Sequence, residues 1–221
     1  MTTAMVAKDL KESKKPVTIK AVAAPAVKIH DYDSEVALGN KIEDVTTQQA
    51  ISIARKHDTD DSNACLTSPL KFKLATKNHV TQDEMLSILA MYGDERDAAD
   101  FAEICVSSLF ANDFYKMDLF TSLERTTAAA NNGIVVNGQI GVFLGIPVVM
   151  SDRCYDAANT EGFILVIKKN SLKEVPKEVP FVEVQRDAST RTNNVFCSQF
   201  YAVALADETG VVYAKTVTAT A

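Results

Sequence analysis

From about residue 41 to residue 64 the chain reads as one continuous helix, and no other stretch constrains the fold so strongly. Ile42, Val45, Ile53 and Ala54 recur on one face, with spacings of 3, 8 and 1. At about 1.5 Å per residue this helix is roughly 35 Å long. That is long for a chain of 221 residues and predicts a spine rather than one element of a layer. The helical reading spans residues 34–66, with Gly39-Asn40 breaking a short first helix from the long second one.

The flanking segments read differently. Residues 1–16 are polar, with Lys8, Lys11, Lys14 and Lys15, and predict an exposed or mobile arm. Val17–Lys20 and Val27–His30 alternate apolar and polar residues and predict strands, with Pro25 marking an edge, bend or bulge between them. Thr81–Gly93 predicts a second helix. Thr81 and Glu84 form a capping box, Met85, Ile88, Leu89 and Tyr92 form its apolar face, and Gly93 stops it. Asp100–Ser107 predicts a strand, followed by a short helix. Residues 121–132 read as a surface loop or frayed helix.

Strands dominate the rest. They are expected over Gly145–Ser151, Gly162–Asn170, Phe181–Asp187, Asn194–Asp207 and Gly210–Ala219. The nearly continuous apolar run in Gly162–Asn170 predicts a strand buried on both faces or paired centrally. Asp207–Gly210 reads as the turn of a final hairpin, with Gly210 suited to a left-handed backbone. The order of elements is that of an α+β fold. It contains no internal repeat and no low-complexity tract.

Composition excludes some functions. The hydrophobic fraction of 47% and charged fraction of 24% are those of an ordinary folded chain. A net charge of −6 argues against a dedicated nucleic-acid binder, which would carry a basic stripe. No apolar run reaches the roughly 20 residues that cross a bilayer, and the first residues lack a signal peptide's apolar stretch. The expectation is a chain made and kept in a cytoplasm. Cys65, Cys105, Cys154 and Cys197 form no CxxC pair, so neither a zinc site nor a redox motif is indicated. Cys105 and Cys197 sit in apolar runs and read as small buried hydrophobes.

The search for chemistry finds little. Gly138, Gly141 and Gly145 fit neither a dinucleotide turn nor a P-loop: Gly145 is succeeded by no lysine, and Ile146-Pro147-Val148-Val149 reads as a strand rather than a helix start. The structural reading is that Gly138 and Gly141 let the backbone turn tightly, while Gly145-Ile146-Pro147 opens a strand. His30, His57 and His79 lack HExxH spacing, and no GxSxG elbow exists. His57–Asn63 concentrates acidic residues but lacks the glycine and closing glutamate of a calcium loop. That run and Asp94–Asp100 read as solvated faces. No catalytic, cofactor-binding or metal-ligating residue is assigned, and no cofactor is expected.

The ordered series of segments resembles the major capsid proteins of tailed bacteriophages, which have the Hong Kong 97-type (Johnson) fold. Residues 16–31 are similar to the returning strand of that family's extended loop. Residues 34–66 are similar to its short helix and spine helix, including the acidic Asp58, Asp60 and Asp61. Residues 81–114 are similar to the axial-domain helix, turn, strand and short helix. Residues 138–153, "GQIGVFLGIPVVMSDR", are similar to the family's recurrent glycine-proline segment, which is scaffold in the axial domain. Residues 181–216 are similar to the closing strands, with the pair Arg186-Asp187 ahead of the last turn. The resemblance covers roughly residues 15–216. The N-terminal arm and outgoing half of the extended loop are expected to be missing.

The resemblance implies a structural, non-enzymatic subunit that assembles into hexamers and pentamers of an icosahedral shell around double-stranded DNA. It would contact the DNA weakly and non-specifically and would sit in the virion, assembled in the host cytoplasm. Scaffolding, protease and portal proteins are the implied partners, with no membrane. Some relatives crosslink through a loop lysine and a distant asparagine, but no such pair is assigned in this chain. The implied domains are discontinuous: residues 1–16 an arm or loop remnant, 17–74 and 160–192 peripheral, 75–159 and 193–221 axial. The alternatives are an encapsulin-like shell around a protein cargo, a small hydrolase using Cys154 or Cys197 with a histidine, and a monomeric binding module.

Overall fold

The computed structural model describes residues 16–36, 40–122 and 138–216. In chain order the elements are β1 (Lys20–Ala23), β2 (Val27–His30), α1 (Asp31–Val36), α2 (Lys41–Cys65), β3 (Leu70–Lys73), α3 (Gln82–Ala90), β4 (Phe101–Val106), α4 (Ala111–Phe114), β5 (Phe120–Ser122), β6 (Gln139–Phe143), β7 (Ile146–Met150), β8 (Tyr155–Asp156), β9 (Glu161–Gly162), β10 (Ile164–Lys168), β11 (Leu172–Pro176), β12 (Phe181–Asp187), β13 (Thr192–Leu205) and β14 (Val211–Lys215). The architecture is α+β. The expected arm over residues 1–15 and the loop over 123–132 lie outside the described residues.

The spine helix forms as its sequence predicts. Asn40 caps it, its side chain accepting from the Ile42 N–H at 3.2 Å. Most of the expected face is covered, Ile53 fully and Ile42 and Val45 in part, and polar residues share it. Ala54 is exposed, and the buried positions are Gln49, Ile53, Asp60 and Cys65.

Two sheets carry the rest. In the first, β13 is central and antiparallel to all its neighbours: β1 and β2 succeed one another along one edge, β11 and β12 along the other. The expected strand at Val17–Lys20 starts at Lys20 instead, because the register with β13 begins at Lys20 opposite Tyr201. Pro25 lies in the break between β1 and β2, as expected. In the second sheet the order is β3-β14-β10-β4-β7-β6-β5, with β3/β14 and β4/β7 parallel.

The expected final hairpin does not form. The local turn chemistry is present, with the Asp207 carboxylate accepting from the Thr209 N–H at 2.9 Å. Yet β13 stays in the first sheet while β14 pairs with β10 and β3 in the second. Long-range pairing decides which strand β14 joins. Gly210 serves close packing there, since an added Cβ would fall 1.8 Å from Ser171 Oγ. A division at residues 159/160 and 192/193 therefore does not match the sheets: β10 belongs to the second sheet and β13 to the first.

The main core fills one face of the second sheet. Met85, Ile88 and Leu89 of α3 and Phe110 and Phe114 near α4 pack on Ile104, Val106, Ile164, Val166, Val212 and Ala214. The α3 capping box forms as expected, and Gly93 takes φ +62°. The opposite face is also covered, by the C-terminal end of α2: Cys65 packs with Cys154, Phe163, Leu165, Val211 and Tyr213. Burial on both faces explains the unbroken apolar run of β10. The Tyr92 hydroxyl ties this sheet together, donating to Val166 O at 2.7 Å and accepting from the Val212 N–H at 3.0 Å.

The glycine-proline segment is a tight hairpin, β6 to β7. Leu144 (φ +48°) and Gly145 (φ +87°) form its turn. Gly138 also has positive φ, but Gly141 lies within β6 and turns nothing. A Cβ there would sit 2.3 Å from Phe120 Cζ and 2.5 Å from Thr121 O. Overpacking of this kind costs about 1–3 kcal/mol. Gly141→Ala is accordingly expected to lower the melting temperature more than Gly93→Ala. At Gly93 an added Cβ meets nothing within 4 Å, and only the positive φ carries a penalty, about 1 kcal/mol. Thermal melts of the two variants check the order.

Candidate functional site

The three histidines do not converge. His30 ends β2, and His79 lies in a loop with its ring 3.0 Å from Asp113. His57 lies on the sheet-facing side of the spine helix, where its ring stacks on Tyr201 with centroids 3.7 Å apart. Cys154 and Cys197 are both buried, and burial pushes the Cys197 thiol upward. Cys65 is pushed to about 12, chiefly by burial. A nucleophilic cysteine needs the opposite, an exposed thiol held low. Among the described residues no group of three or more His, Cys, Asp or Glu side chains is placed to hold a metal ion.

The acidic run at 57–63 is not simply a solvated face. Asp60 is buried and receives three donors: the Tyr201 hydroxyl at 2.7 Å, Lys56 Nζ at 2.9 Å and Lys20 Nζ at 3.2 Å. Burial raises its pKa, but hydrogen bonds from Lys56, Tyr201 and Lys20 outweigh this and hold it at about 2. Gln49, toward the helix's N-terminal end, donates to both Pro25 O and Val195 O at 3.0 Å. The apolar share of this seam is small: Ile53 against Cys197, Ala24 and Val22. Sequence reasoning misses these polar anchors. The only signal it has for them is that Gln49, Ile53, His57 and Asp60 recur about every four residues along α2.

Among the described residues, nothing covers the far side of the same sheet. Side chains on a strand alternate between faces, and directly paired residues share one. Cys197, Gln199 and Tyr201 face α2. Phe196 and Phe200 therefore face away, together with Phe181 (opposite Ser198) and Val175 (opposite Ala202). Phe181 is 60% and Phe200 40% exposed. An exposed apolar sheet face of this kind marks an interaction surface more than a catalytic cleft. At the end of the sheet Arg186 grips Asp31 through two parallel hydrogen bonds of 2.5 and 2.6 Å. This fork fastens α1 to β12 and involves one member of the Arg186-Asp187 pair.

No family model matches the chain. A segment of 95 residues is 32% identical to the major capsid protein of Staphylococcus phage phiMR11, covering 43% of this chain and 32% of that protein. The chain thus spans about a third of the length of that relative. The fold superposes on a chain of the capsid of Cyanophage P-SCSP1u with a TM-score of 0.64 at 11% identity, over 99% of this chain and 81% of that one. This is the fold of phage capsid proteins. It is shared by a chain of the holo-SrpI encapsulin complex of Synechococcus elongatus PCC 7942, with a TM-score of 0.62 at 12% identity, over 90% of this chain and 74% of that one. In the capsid fold as this chain builds it, the glycine-proline segment is a scaffold hairpin in the second sheet, with no phosphate cradle.

Asp60 sets a pH dependence with a definite sign. Its folded pKa lies below its ordinary 3.8. Its stabilisation is therefore full above that value and is lost as pH falls through about 2. Tyr201→Phe removes one of the three donors and is expected to cost about 1–3 kcal/mol at neutral pH. The deficit should narrow as pH falls toward 2, where Asp60 of the wild-type protein begins to lose its charge. Urea titrations of the two proteins between pH 2 and 7 measure it.

Proposed function

We propose that this chain is the repeating subunit of an icosahedral phage shell around double-stranded DNA, a major capsid protein of the Hong Kong 97 type. The observation that carries the reading is its superposition, over 99% of its length, on a chain of a phage capsid. The sequence match to a phage major capsid protein points the same way. Its role is structural, without catalysis. It acts in the virion and is assembled in the bacterial host cytoplasm.

In this reading the second sheet with α3 and α4 is the axial domain, residues 70–122, 138–168 and 211–215 among those described. The spine helix with the first sheet is the peripheral domain, residues 20–65 and 172–205. The domains interleave along the chain, because β11 to β13 return to the first sheet before β14 rejoins the second. Hexamers and pentamers are built by heterologous contacts, in which each copy offers a different patch to each neighbour. The bare face bearing Phe196 and Phe200 is one such patch. The net charge of −6 keeps the shell from gripping its genome, so contact with DNA is weak and non-specific. Scaffolding, protease and portal proteins are the further partners this role requires.

A second reading, an encapsulin-like shell around a protein cargo, is favoured by the fold match to the SrpI complex. One preparation separates the possibilities. Light scattering on a sizing column should show a species far above the 24.0 kDa of one chain, with rings or closed shells in negative stain. Phe200→Asp should keep the circular dichroism of the folded subunit and lose that species. Copurifying DNA would support the phage shell, and a copurifying enzyme the encapsulin. A monomer at all concentrations would argue against both.

A further inference from the structure

Alongside its seam with the first sheet, the spine helix walls a groove of about 350 Å³. Ala50, Ile53 and Ala54 of α2, with Pro180, form its apolar part, and Asp58 and Asp61 line it further along the same helix. No lysine or arginine is among the described residues that line it. The nearby charges are already engaged: Glu174 meets the His57 ring, and Lys20 and Lys56 both go to Asp60. One Asp61 carboxylate oxygen, Oδ1, is buried without a hydrogen-bond partner among the described residues. An apolar trough that ends in carboxylates suits an ammonium carried on an aliphatic stem.

The same chain carries the complementary groups on its other sheet. β3 is an edge strand, paired among the described residues with β14 alone. Leu70 and Phe72 pack on the main core, so Lys71 and Lys73 project from the opposite face, and both are exposed. Neither has an ion-pair partner among the described residues. Two positions apart on a strand, they stand about 6.6 Å from each other at 3.3 Å per residue. Asp58 and Asp61, three apart on a helix, have Cβ atoms about 5–6 Å apart. Lysines on an edge also discourage strand pairing, but that role leaves the two carboxylates on α2 unaccounted for. A pair of cations and a pair of anions are thus presented at matching spacing.

We propose that Lys71 and Lys73 of one copy enter the spine-helix groove of a second copy and pair with its Asp58 and Asp61. The inference rests on the reading of the chain as a repeating subunit. Within one chain the two pairs form no ion pair with each other among the described residues. The contact is heterologous: an edge of one copy meets a different patch on the next, and each copy keeps a free groove for a further neighbour. The lysine stems lie along Ala50, Ile53, Ala54 and Pro180 while their ammonium groups reach the carboxylates.

Charge pairs across an interface set partner choice, register and encounter rate more than raw affinity. The groove and the edge lysines therefore fix how one copy is aligned on the next, whereas apolar patches such as the face bearing Phe196 and Phe200 supply the adhesion.

Carbodiimide crosslinking of the full chain tests this, since it joins a lysine amine to a carboxylate already in contact with it. In an equimolar mixture of nitrogen-15-labelled and unlabelled chains, peptides joining Lys71 or Lys73 to Asp58 or Asp61 should carry mixed label, which marks them as formed between copies. Lys71→Glu with Lys73→Glu should raise the concentration needed for association about tenfold. Adding Asp58→Lys and Asp61→Lys to the same chain should restore it. Should that chain fail to fold, Lys71→Glu with Asp58→Lys, at an exposed site, should still associate better than Lys71→Glu alone. Large species whose mixed-label crosslinks all avoid Lys71 and Lys73 would overturn the proposal and leave the shell reading standing. So would a charge reversal in folded protein that the opposite reversal does not relieve. A chain that stays monomeric would overturn the shell reading and this inference with it.

Discussion

The structure turns on one long contact, the spine helix lying along the central strand of the first sheet. Twenty-five residues of helix and fourteen of strand have similar reach, about 37 Å at 1.5 Å per residue against about 46 Å at 3.3 Å. Only Ile53 makes this seam apolar in its middle. The rest is hydrogen bonding from Gln49, His57 and Asp60, each reaching a partner on the strand or its neighbours. Apolar contact is indifferent to small slips, whereas a hydrogen bond loses its value within fractions of an ångström. The helix is therefore fixed in register on the sheet more firmly than it is glued to it. Its C-terminal end then enters the second core through Cys65, so the same helix aligns both sheets.

How much of this is legible in the sequence depends on how local its cause is. The α3 helix is legible in full because its cap, apolar face and stop lie within thirteen residues. β10 is legible because burial on both faces leaves a run with no alternation. The spine helix is legible as an element and, through Ile42, Val45 and Ile53, roughly in its facing, but not in its polar anchors. Gln49 and Asp60 look like solvent residues until partners from β13 appear 146 and 141 positions away. The same distance hides the Arg186–Asp31 fork, 155 residues apart. Gly141 and Gly210 mislead for a related reason: a glycine needed for close approach is indistinguishable in sequence from one needed for a turn. Of the candidate surface, the alternation of Phe181–Asp187 is visible, but not that both its faces remain exposed.

The two sheets differ in how completely they close. The second is covered on both faces, by α3 and α4 on one side and the end of α2 on the other. Among the described residues the first is covered on one face only, by a largely polar seam. Stability is correspondingly uneven, because resistance to local opening tracks buried apolar contact. The second sheet is the rigid body of the molecule. The first sheet, with its bare outer face and short broken edge strands, is the part whose burial is left unfinished by the described residues alone.

That unevenness suits the proposed role of a shell subunit. A closed icosahedral shell places identical chains in environments that differ slightly, so each copy needs a part that does not change and a part that can. A sheet packed on both faces resists deformation, since a close-packed interior tolerates little change of volume. A sheet held by directed polar contacts can shift its helix between discrete arrangements by exchanging partners. The position where such exchange is chemically simplest is the one whose bonds depend on charge, and in this seam that is Asp60 with Lys20 and Lys56. The polar residues of the spine helix are thus the ones that set its register on the first sheet, while its C-terminal end is packed into the second core.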